Sequence, residues 1–360
     1  MKKSRTHLRR PSTPSSLAMA APHDPPFLRR YGSLFSAASE EEAPRRGKSG
    51  VLEECELPVI DLRALREEEG RRTARSAETA GASAEMASAS SEWGFFQVVN
   101  HGVSGELLEE IREEQKRLFR APFEKKERWT ALNESYRWGN PTATSLDQLS
   151  WSEAFHVPLS NLGAHDAEEF ASLSGSREAM RKVASAMLEL ARILSAVLAE
   201  NLGCPRHLFG ENYSESTCFL RLNRYPPCPF SPNTMGLVPH TDSDFMTILH
   251  QDHVGGLQLM KDSKWVSIKP NPEALIVNIG DLFQAWSNDV YKSVQHRVMT
   301  NRKVERYSIA FFLCPSYDSV IGSCKEPSPY KKFTFKEFRA QVQEDVKATG
   351  YKVGLSRFLL

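Results

Sequence analysis

A series of short strand-like segments between residues 217 and 315 is the feature that most constrains the fold. These segments are rich in apolar and β-branched residues, and Pro, Gly, Asn and Asp separate them. Many short strands with closely spaced turns predict a β-sandwich or a double-stranded barrel. The segments span residues 218–225, 247–250, 256–260, 265–268, 274–279, 293–299 and 307–313.

Helical patterns precede and follow this β-rich region. Ser104 can cap a helix whose apolar residues fall near one face, and a longer helix is expected from Ser176 to Gly203. After the β-rich region, Thr334 and Glu337 form a capping box for a C-terminal helix. We therefore expect helices to pack on the sheets from both ends of the chain.

The N-terminal 50 residues have a different composition. They are rich in Pro, Ser and Arg without sustained periodicity, so we expect them to be largely disordered. The predicted organisation is a disordered extension (1–50), a helix-rich part packed on the core (51–210), the β core (211–320) and a C-terminal helical segment (321–360).

The composition excludes several classes of protein. The hydrophobic fraction of 40% and charged fraction of 25% are ordinary, and a net charge of +1 gives no overall attraction to nucleic acid or an acidic membrane. No apolar run reaches the roughly 18 residues that a membrane helix needs. Six scattered cysteines without a CxxC pair favour reduced thiols, and hence a cytoplasmic or nuclear location.

The first segment of the chain is basic and contains Ser and Thr, which is compatible with an organelle-transit sequence. The simpler interpretation is an unstructured extension, with Met19 as an alternative start, so we do not expect organelle targeting. The sequence leaves open both the choice between Met1 and Met19 and the oligomeric state.

His240 and Asp242 are two residues apart among strand-forming residues. In extended backbone, residues i and i+2 point to the same side, so a nitrogen and an oxygen can converge on one metal ion. We expect His296, on a distant strand, to be the third ligand. Two histidines and one carboxylate leave one side of the metal open, which suits non-haem Fe(II), whereas structural zinc uses four protein ligands. His250 and His253 are nearby competitors.

Arg306 and Ser308 share a strand face and precede the apolar run 309–313. A guanidinium in such a setting requires an anion, because burying it unpaired costs several kcal/mol. Its planar fork matches a carboxylate, to which the Ser308 hydroxyl can add a further hydrogen bond. The alternative is an arginine in a surface ion pair, which the apolar run disfavours.

In combination and in order, these motifs resemble the plant 2-oxoglutarate- and Fe(II)-dependent dioxygenases. The motifs are Asn-Arg-Tyr-Pro-Pro-Cys at 223–228, His-Thr-Asp at 240–242, His296 and Arg-Tyr-Ser at 306–308. Within that family the chain most resembles gibberellin 2-beta-dioxygenases, particularly the class acting on C20 gibberellins. Residues 135–139, 149–159, 254–262 and 278–289 carry this closer resemblance, which runs from about Leu57 to the C-terminus.

The resemblance implies a fold and a set of ligands. The fold is expected to be α+β with a mainly β core, a double-stranded β-helix or jelly roll flanked by helices. The implied iron ligands are His240, Asp242 and His296. Arg306 and Ser308 are expected to bind the C5 carboxylate of 2-oxoglutarate, with Tyr225 as a further hydrogen-bond donor to the cosubstrate.

The implied reaction uses Fe(II), with 2-oxoglutarate and O₂ as cosubstrates and ascorbate as reductant. Oxidative decarboxylation to succinate and CO₂ accompanies 2-beta-hydroxylation of a gibberellin, which inactivates the hormone. The substrate is a rigid diterpenoid carboxylic acid, so its pocket should be apolar with one or two cationic or hydroxyl groups. Candidate contacts are Tyr136, Arg137, Trp138, Phe245, Phe283 and Trp286, although core packing explains each aromatic at least as well.

Two alternatives remain at this stage. The first keeps the chemistry and changes the substrate to a flavonoid, another hormone or an alkaloid-like compound; the regions of Trp138, Trp151 and Leu257 disfavour it through resemblance alone. The second is a jelly-roll binding protein without turnover. Such a protein could lose a metal ligand or the anchoring arginine at little cost, whereas all five positions are present here.

Overall fold

The structure is a computed structural model that describes residues 21–40, 53–68, 76–129, 135–163, 174–204, 213–232 and 234–360. The helices within these residues are α1 (Phe27–Glu40), α2 (Arg63–Glu67), α3 (Ala77–Glu92), α4 (Gly105–Phe119), α5 (Phe123–Glu127), α6 (Leu159–Gly163), α7 (Ser174–Asn201), α8 (Asp281–Trp286) and α9 (Phe335–Thr349).

The strands alternate with these helices and dominate the region after residue 213. They are β1 (Glu54–Cys55), β2 (Val59–Asp61), β3 (Phe95–Val99), β4 (Tyr136–Trp138), β5 (Glu153–Pro158), β6 (Phe219–Tyr225), β7 (Met235–His240), β8 (Met246–Gln251), β9 (Leu257–Lys261), β10 (Lys264–Ile268), β11 (Leu275–Ile279), β12 (His296–Met299), β13 (Arg306–Leu313), β14 (Val320–Ile321) and β15 (Phe333–Thr334).

Two sheets form the core. The larger has eight strands in the order β2-β3-β11-β8-β13-β6-β5-β4, and the smaller has five in the order β1-β10-β9-β12-β7. Residues from both sheets line one cavity, so the sheets face each other around it. Apart from two parallel pairs, β1 with β10 and β2 with β3, the neighbouring strands are antiparallel. This arrangement is the predicted jelly roll, and it leaves room for a site between its two sheets.

Helices cover the face of the larger sheet that points away from the cavity. Met180, Met187 and Leu194 recur at helical spacing along α7 and are fully buried. They belong to the main core cluster together with Leu222 of β6 and Phe311 of β13. The apolar stripe of α7 is therefore core packing, as the sequence predicted, and it holds the cavity-lining strands from behind.

Two of the three predicted helix starts are confirmed. The Ser104 hydroxyl accepts a hydrogen bond from the Leu107 amide (3.2 Å), and Thr334 and Glu337 form a capping box. The predicted start at Ser176 is wrong by two residues, because α7 begins at Ser174. The Ser176 hydroxyl instead hydrogen-bonds side chains of α4, which removes it from any capping role.

The expected disorder of residues 1–50 is wrong for residues 27–40, which form α1. Phe27 of this helix stacks on Trp151 with ring centroids 4.4 Å apart, and Tyr31 packs against Trp138. The rings that stabilise α1 are more than 100 residues away in sequence, so local composition could not predict it. Residues 1–20 and 41–50 lie outside the described part of the chain.

Residues 136–138 form the edge strand β4 of the larger sheet. β4 pairs with β5, so this segment extends the sheet that carries one wall of the cavity. Among the described residues, no helix combines the length and the hydropathy needed to cross a membrane.

Candidate active site

Strand pairing brings the predicted metal ligands together. His240 ends β7 and lies directly opposite His296, the first residue of β12, with the two ring centroids 4.2 Å apart. Asp242 follows β7 and turns back toward both rings. Its Oδ1 atom lies 3.6 Å from His240 Nε2 and 3.8 Å from His296 Nε2. The three side chains thus converge on one point.

Backbone carbonyls orient both imidazole rings. His240 Nδ1 lies 2.8 Å from the Val238 carbonyl oxygen, and His296 Nδ1 lies 3.1 Å from that of Val294. A neutral ring that donates from Nδ1 keeps its lone pair on Nε2, which is the atom facing Asp242. Burial, followed by the charge of His296, lowers the pKa of His240 to about 3, so this ring is neutral at physiological pH.

Two buried side chains fix the Asp242 carboxylate. Its Oδ2 atom accepts hydrogen bonds from Thr247 Oγ1 (2.7 Å) and Asn278 Nδ2 (2.8 Å), which leaves Oδ1 directed at the histidines. Burial raises the pKa of Asp242, but both histidines and these hydrogen bonds outweigh that effect and lower the pKa to about 2. Asp242 is therefore ionised, and its Oδ1 atom is the oxygen available to a metal ion.

Asp244 is a second buried carboxyl group, on the far side of Thr247 from Asp242. Its Oδ2 atom lies 2.9 Å from Thr247 Oγ1, and one hydroxyl hydrogen cannot serve two carboxylates. Burial, reinforced by the charge of Asp242, raises the pKa of Asp244 well above its usual range. This favours a series of two hydrogen bonds, in which the protonated Asp244 carboxyl donates to the Thr247 hydroxyl and that hydroxyl donates to the Asp242 carboxylate.

The donor set fits a ferrous ion. One ligand atom from each of His240, Asp242 and His296 lies within 4.8 Å of the others, and this is the only such group in the described residues. Two imidazole nitrogens and one carboxylate oxygen on one side of an ion leave coordination positions free on the other, as non-haem Fe(II) oxygenases require. The absence of thiolates from the group argues against structural zinc.

Arg306 lies on the opposite wall of the same cavity, on β13. Its side chain is 2% exposed, and no carboxylate of the described residues pairs with it. Nη2 donates to Gln251 Oε1 (2.9 Å) and Nη1 to Ser308 Oγ (3.4 Å), whereas Nε has no hydrogen-bond partner. A buried guanidinium with an unused donor is an incomplete site that an anion would complete.

Tyr225 places its ring over this guanidinium, 4.8 Å from ring centroid to Cζ. Gly236 of the facing sheet permits this position, because a Cβ at residue 236 would lie 2.6 Å from the tyrosine ring. Arg306, Ser308 and Tyr225 thus meet in one cavity that also contains the three metal-ligand candidates. A buried cation without a counterion, in the same cavity as the metal-ligand candidates, fits 2-oxoglutarate with its far carboxylate on Arg306.

The predicted substrate contacts lie elsewhere in the described residues, since none of them lines this cavity. On β4, the Tyr136 hydroxyl donates to the buried Glu153 carboxylate, which Lys126 and Arg224 also contact. Trp138 packs edge-on against Phe27 of α1. Arg137 is exposed on the same edge strand. Tyr136 and Trp138 are therefore occupied by packing on the side of the sheet away from the cavity.

Of the other three candidates, Phe283 and Trp286 lie on α8, and Phe245 packs against Phe283. Phe245 and Phe283 are buried in the main core cluster, and Trp286 packs against that cluster. The competing histidines are also remote from the metal ligands: His250 faces Arg112 of α4, 3.4 Å from Nη2, and His253 is exposed. These three aromatic side chains are therefore part of the core packing, which was the alternative to substrate contact.

Comparison with known proteins agrees with this geometry. The sequence profile of the 2OG-Fe(II) oxygenase superfamily matches residues 216–315, and that of the N-terminal region of non-haem dioxygenase in morphine synthesis matches residues 57–177. Gibberellin 2-beta-dioxygenase 6 of Oryza sativa subsp. japonica is 55% identical over 350 residues, covering 93% of this chain and 96% of the relative. The chain belongs to the 2OG-Fe(II) oxygenase superfamily.

Other relatives of this oxygenase point the same way. Gibberellin 2-beta-dioxygenase 8 of Arabidopsis thaliana is 53% identical and covers 93% of this chain, which spans 98% of that relative. The crystal structure of JOX2 in complex with 2OG, Fe and JA superposes with a TM-score of 0.66 at 32% identity, covering 82% of this chain and 87% of that one. The oxygenase therefore uses Fe(II) and 2-oxoglutarate, as predicted, whereas ascorbate stays a prediction.

Sequence reasoning missed the supporting residues of this oxygenase. Thr247 and Asn278 hold Asp242, and Gln251 holds Arg306, but none of the three belongs to a spaced motif. Lys352, near the C-terminus, donates to the carbonyl oxygen of Thr241 between two ligand positions (2.9 Å). The usable signal was an amide inside the apolar strand 275–279, because a buried Asn requires a partner.

Proposed function

We propose that this oxygenase is a gibberellin 2-beta-dioxygenase acting on C20 gibberellins. The observation that supports this most directly is the 55% identity to a gibberellin 2-beta-dioxygenase over almost the whole chain. The same printed function recurs in relatives that are 53%, 48% and 41% identical. The product would be a 2-beta-hydroxylated gibberellin, and the chemistry would inactivate the hormone.

In this proposal His240, Asp242 and His296 hold Fe(II) from one side. Bound Fe(II) supplies the activation of O₂ that couples oxidative decarboxylation of 2-oxoglutarate to hydroxylation of the substrate. Ser308 and Arg306 bind the C5 carboxylate of 2-oxoglutarate, with two hydrogen bonds available from the guanidinium. Tyr225, over the guanidinium, closes that end of the cavity and is a candidate donor to the cosubstrate.

The protein contributes position and exclusion of water. Carbonyl oxygens of Val238 and Val294 set the imidazole orientations, and Thr247 and Asn278 set the carboxylate, so the ligands need little rearrangement. Apolar side chains from both sheets line the rest of the cavity and keep water from the reacting atoms. They are Phe95, Leu237, Leu249, Leu257, Val298 and Phe312.

The proposal also assigns separate roles to the regions of the chain that were predicted from the sequence. Residues 211–320 would carry every metal and 2-oxoglutarate contact, while residues 51–210 and 321–360 would pack on this core. The helices before residue 210 support this division because they cover one sheet face, whereas strands β1 to β5 from the same part of the chain extend the two sheets. The first 20 residues would have no part in the chemistry.

Turnover with defined substrates tests the proposal. Purified full-length protein is incubated with Fe(II), ascorbate, 2-oxoglutarate and either a C20 or a C19 gibberellin, and succinate and hydroxylated product are quantified by mass spectrometry. We expect a 2-beta-hydroxylated product and an equal amount of succinate with the C20 substrate, and less product with the C19 substrate. Asp242→Ala should remove both products, because the metal would lose its only anionic protein ligand.

Succinate without hydroxylated gibberellin, in a panel that yields hydroxylated product from a flavonoid or another hormone, would show that the chemistry is correct and the substrate wrong. Absence of succinate and of every hydroxylated product would contradict the enzymatic proposal itself. Retention of turnover by Asp242→Ala would contradict the assignment of the metal ligands.

A further inference from the structure

Arg221 occupies the wall of the cavity that faces His240. It lies on β6, two residues from Asn223 and four from Tyr225, and all three side chains line the cavity. In the larger sheet its lateral neighbours are Ala310 of β13 and His156 of β5. The guanidinium is partly exposed, so it sits where the cavity meets the outside.

The charge of Arg221 has no counterion among the described residues, where its side chain forms neither an ion pair nor a hydrogen bond. By contrast Arg224, three residues along the same strand on the opposite face, contacts the carboxylates of Asp24, Glu153 and Glu305. β6 is therefore not remote from acidic residues. These three carboxylates are on the side away from the cavity, which leaves Arg221 available to a ligand.

The proposed cosubstrate would not use this charge. 2-Oxoglutarate has two carboxylates, of which one is assigned to Arg306 and the other lies beside the metal. Arg221 is a second cation in the same cavity, on the side of His156 and Phe219 instead of the side of Gln251. Arg221 is therefore free to pair with a third carboxylate, from another molecule.

An apolar surface adjoins Arg221. Phe219 stacks on Phe312 with ring centroids 4.3 Å apart and on His156 at 3.8 Å. Burial, followed by the charges of Arg221, Arg339 and Arg137, lowers the pKa of His156 to about 3, so this ring is neutral and adds no competing charge. A guanidinium beside stacked uncharged rings suits a rigid apolar molecule that carries a carboxylate.

We propose that Arg221 binds a carboxylate of the substrate and that Phe219 and Phe312 contact its apolar skeleton. This inference rests on the proposed function, because it supplies the cation that a gibberellin acid needs. Arg137, the cation among the substrate contacts predicted from the sequence, is instead exposed on the edge strand β4. Arg221 faces the metal ligands, so pairing with it fixes which end of the substrate points at the metal.

Binding without turnover tests the role of Arg221. Wild-type protein, Arg221→Met and Arg221→Lys are loaded with Mn(II) in place of Fe(II) and with 2-oxoglutarate in the absence of O₂. Calorimetry then gives Kd for a C20 gibberellin as the free acid and as the fully methylated ester. Arg181→Met is the matched control, because Arg181 pairs with Glu178 on the exposed side of α7 and its loss changes net charge equally.

We expect Arg221→Met to weaken binding of the free acid about 10- to 100-fold, since the acid loses a charged hydrogen-bond partner. The methyl ester should bind wild type and Arg221→Met equally, and Arg221→Lys should lose less acid affinity than Arg221→Met. Neither Kd for 2-oxoglutarate nor binding by Arg181→Met should change. If Arg221→Met does not fold, the acid-to-ester ratio of Arg221→Lys relative to wild type decides the question.

Equal losses for acid and ester, or a loss of 2-oxoglutarate affinity in place of acid affinity, would overturn the role of Arg221. Normal gibberellin turnover by wild type alongside that result would leave the proposed function intact. Conversely, wild type that ignores gibberellins but binds indole-3-acetic or jasmonic acid in an Arg221-dependent manner would refute the gibberellin substrate and support the carboxylate site. Binding of none of these acids would overturn both.

Discussion

At the scale of single residues, the metal ligands depend on neighbours that have no chemistry of their own. Asp242 presents Oδ1 to the histidines because Thr247 and Asn278 occupy Oδ2. The three metal-ligand candidates could be proposed from the sequence because their spacing carries chemical meaning, whereas Thr247 looked like an ordinary strand residue. Its role follows only from the fold, which places it between two carboxylates.

Replacing Thr247 with Val tests this dependence. The change keeps the side-chain shape but removes the hydroxyl between Asp242 and Asp244, so the carboxylate loses one of its two orienting hydrogen bonds. Losses of this kind reduce metal affinity about 10- to 100-fold. We expect the Kd for Mn(II), measured by calorimetry without O₂, to rise by at least about tenfold.

Thr300→Val is the matched control, because Thr300 is also buried and its hydroxyl donates to the Thr234 carbonyl oxygen (2.7 Å), just beyond β12. That variant should lose stability without losing metal affinity. If Thr247→Val bound Mn(II) as tightly as wild type, the single hydrogen bond from Asn278 would be sufficient to orient the ligand.

At the scale of secondary-structure elements, local sequence patterns predicted the positions of strands well but could not predict elements that depend on contacts distant in sequence. The segment predicted at 307–313 became β13 (Arg306–Leu313), and 274–279 became β11 (Leu275–Ile279). The pairing of β7 with β12, which joins the two histidines, could be anticipated only from the chemistry of a metal site. α1 could not be anticipated at all, because its stabilising rings belong to the segment around β4 and β5.

Packing of α1 is therefore expected to determine whether that helix forms. An isolated helix of this length is marginal in water, so its stability comes from contacts such as Phe27 on Trp151. Phe27→Ala should lower the free energy of unfolding by about 3–5 kcal/mol. Urea denaturation followed by tryptophan fluorescence measures this change, and the native emission should also move to longer wavelength as Trp151 becomes hydrated.

Arg29→Ala serves as the control, because Arg29 is exposed on the same helix and alanine favours helix formation. We expect a change within about 0.5 kcal/mol for that variant. Similar stabilities for Phe27→Ala and Arg29→Ala would mean that α1 contributes little to the folded state despite its stacked rings.

At the scale of the whole molecule, the active site is a junction between two sheets. β7 and β12 of the smaller sheet carry two of the metal ligands, while β13 and β6 of the larger sheet carry the cation and tyrosine assigned to 2-oxoglutarate. A cosubstrate bound to both walls would link the sheets across the cavity. Metal and cosubstrate should therefore stabilise the fold in separate increments that different residues control.

Thermal unfolding without O₂ separates the two increments. A ligand at about 100 times its Kd stabilises the folded state by about 2.7 kcal/mol, which corresponds to a rise in Tm of roughly 3–5 °C for a chain of this size. Wild type should show one rise in Tm with Mn(II) and a second with 2-oxoglutarate.

Arg306→Met should keep the first rise in Tm and lose the second, because the far carboxylate of 2-oxoglutarate would face an apolar side chain. Asp242→Ala should lose both, since the cosubstrate needs the metal beside it. A full 2-oxoglutarate increment in Arg306→Met would place the cosubstrate on another cation of the cavity, and Arg221 is the one that the geometry offers.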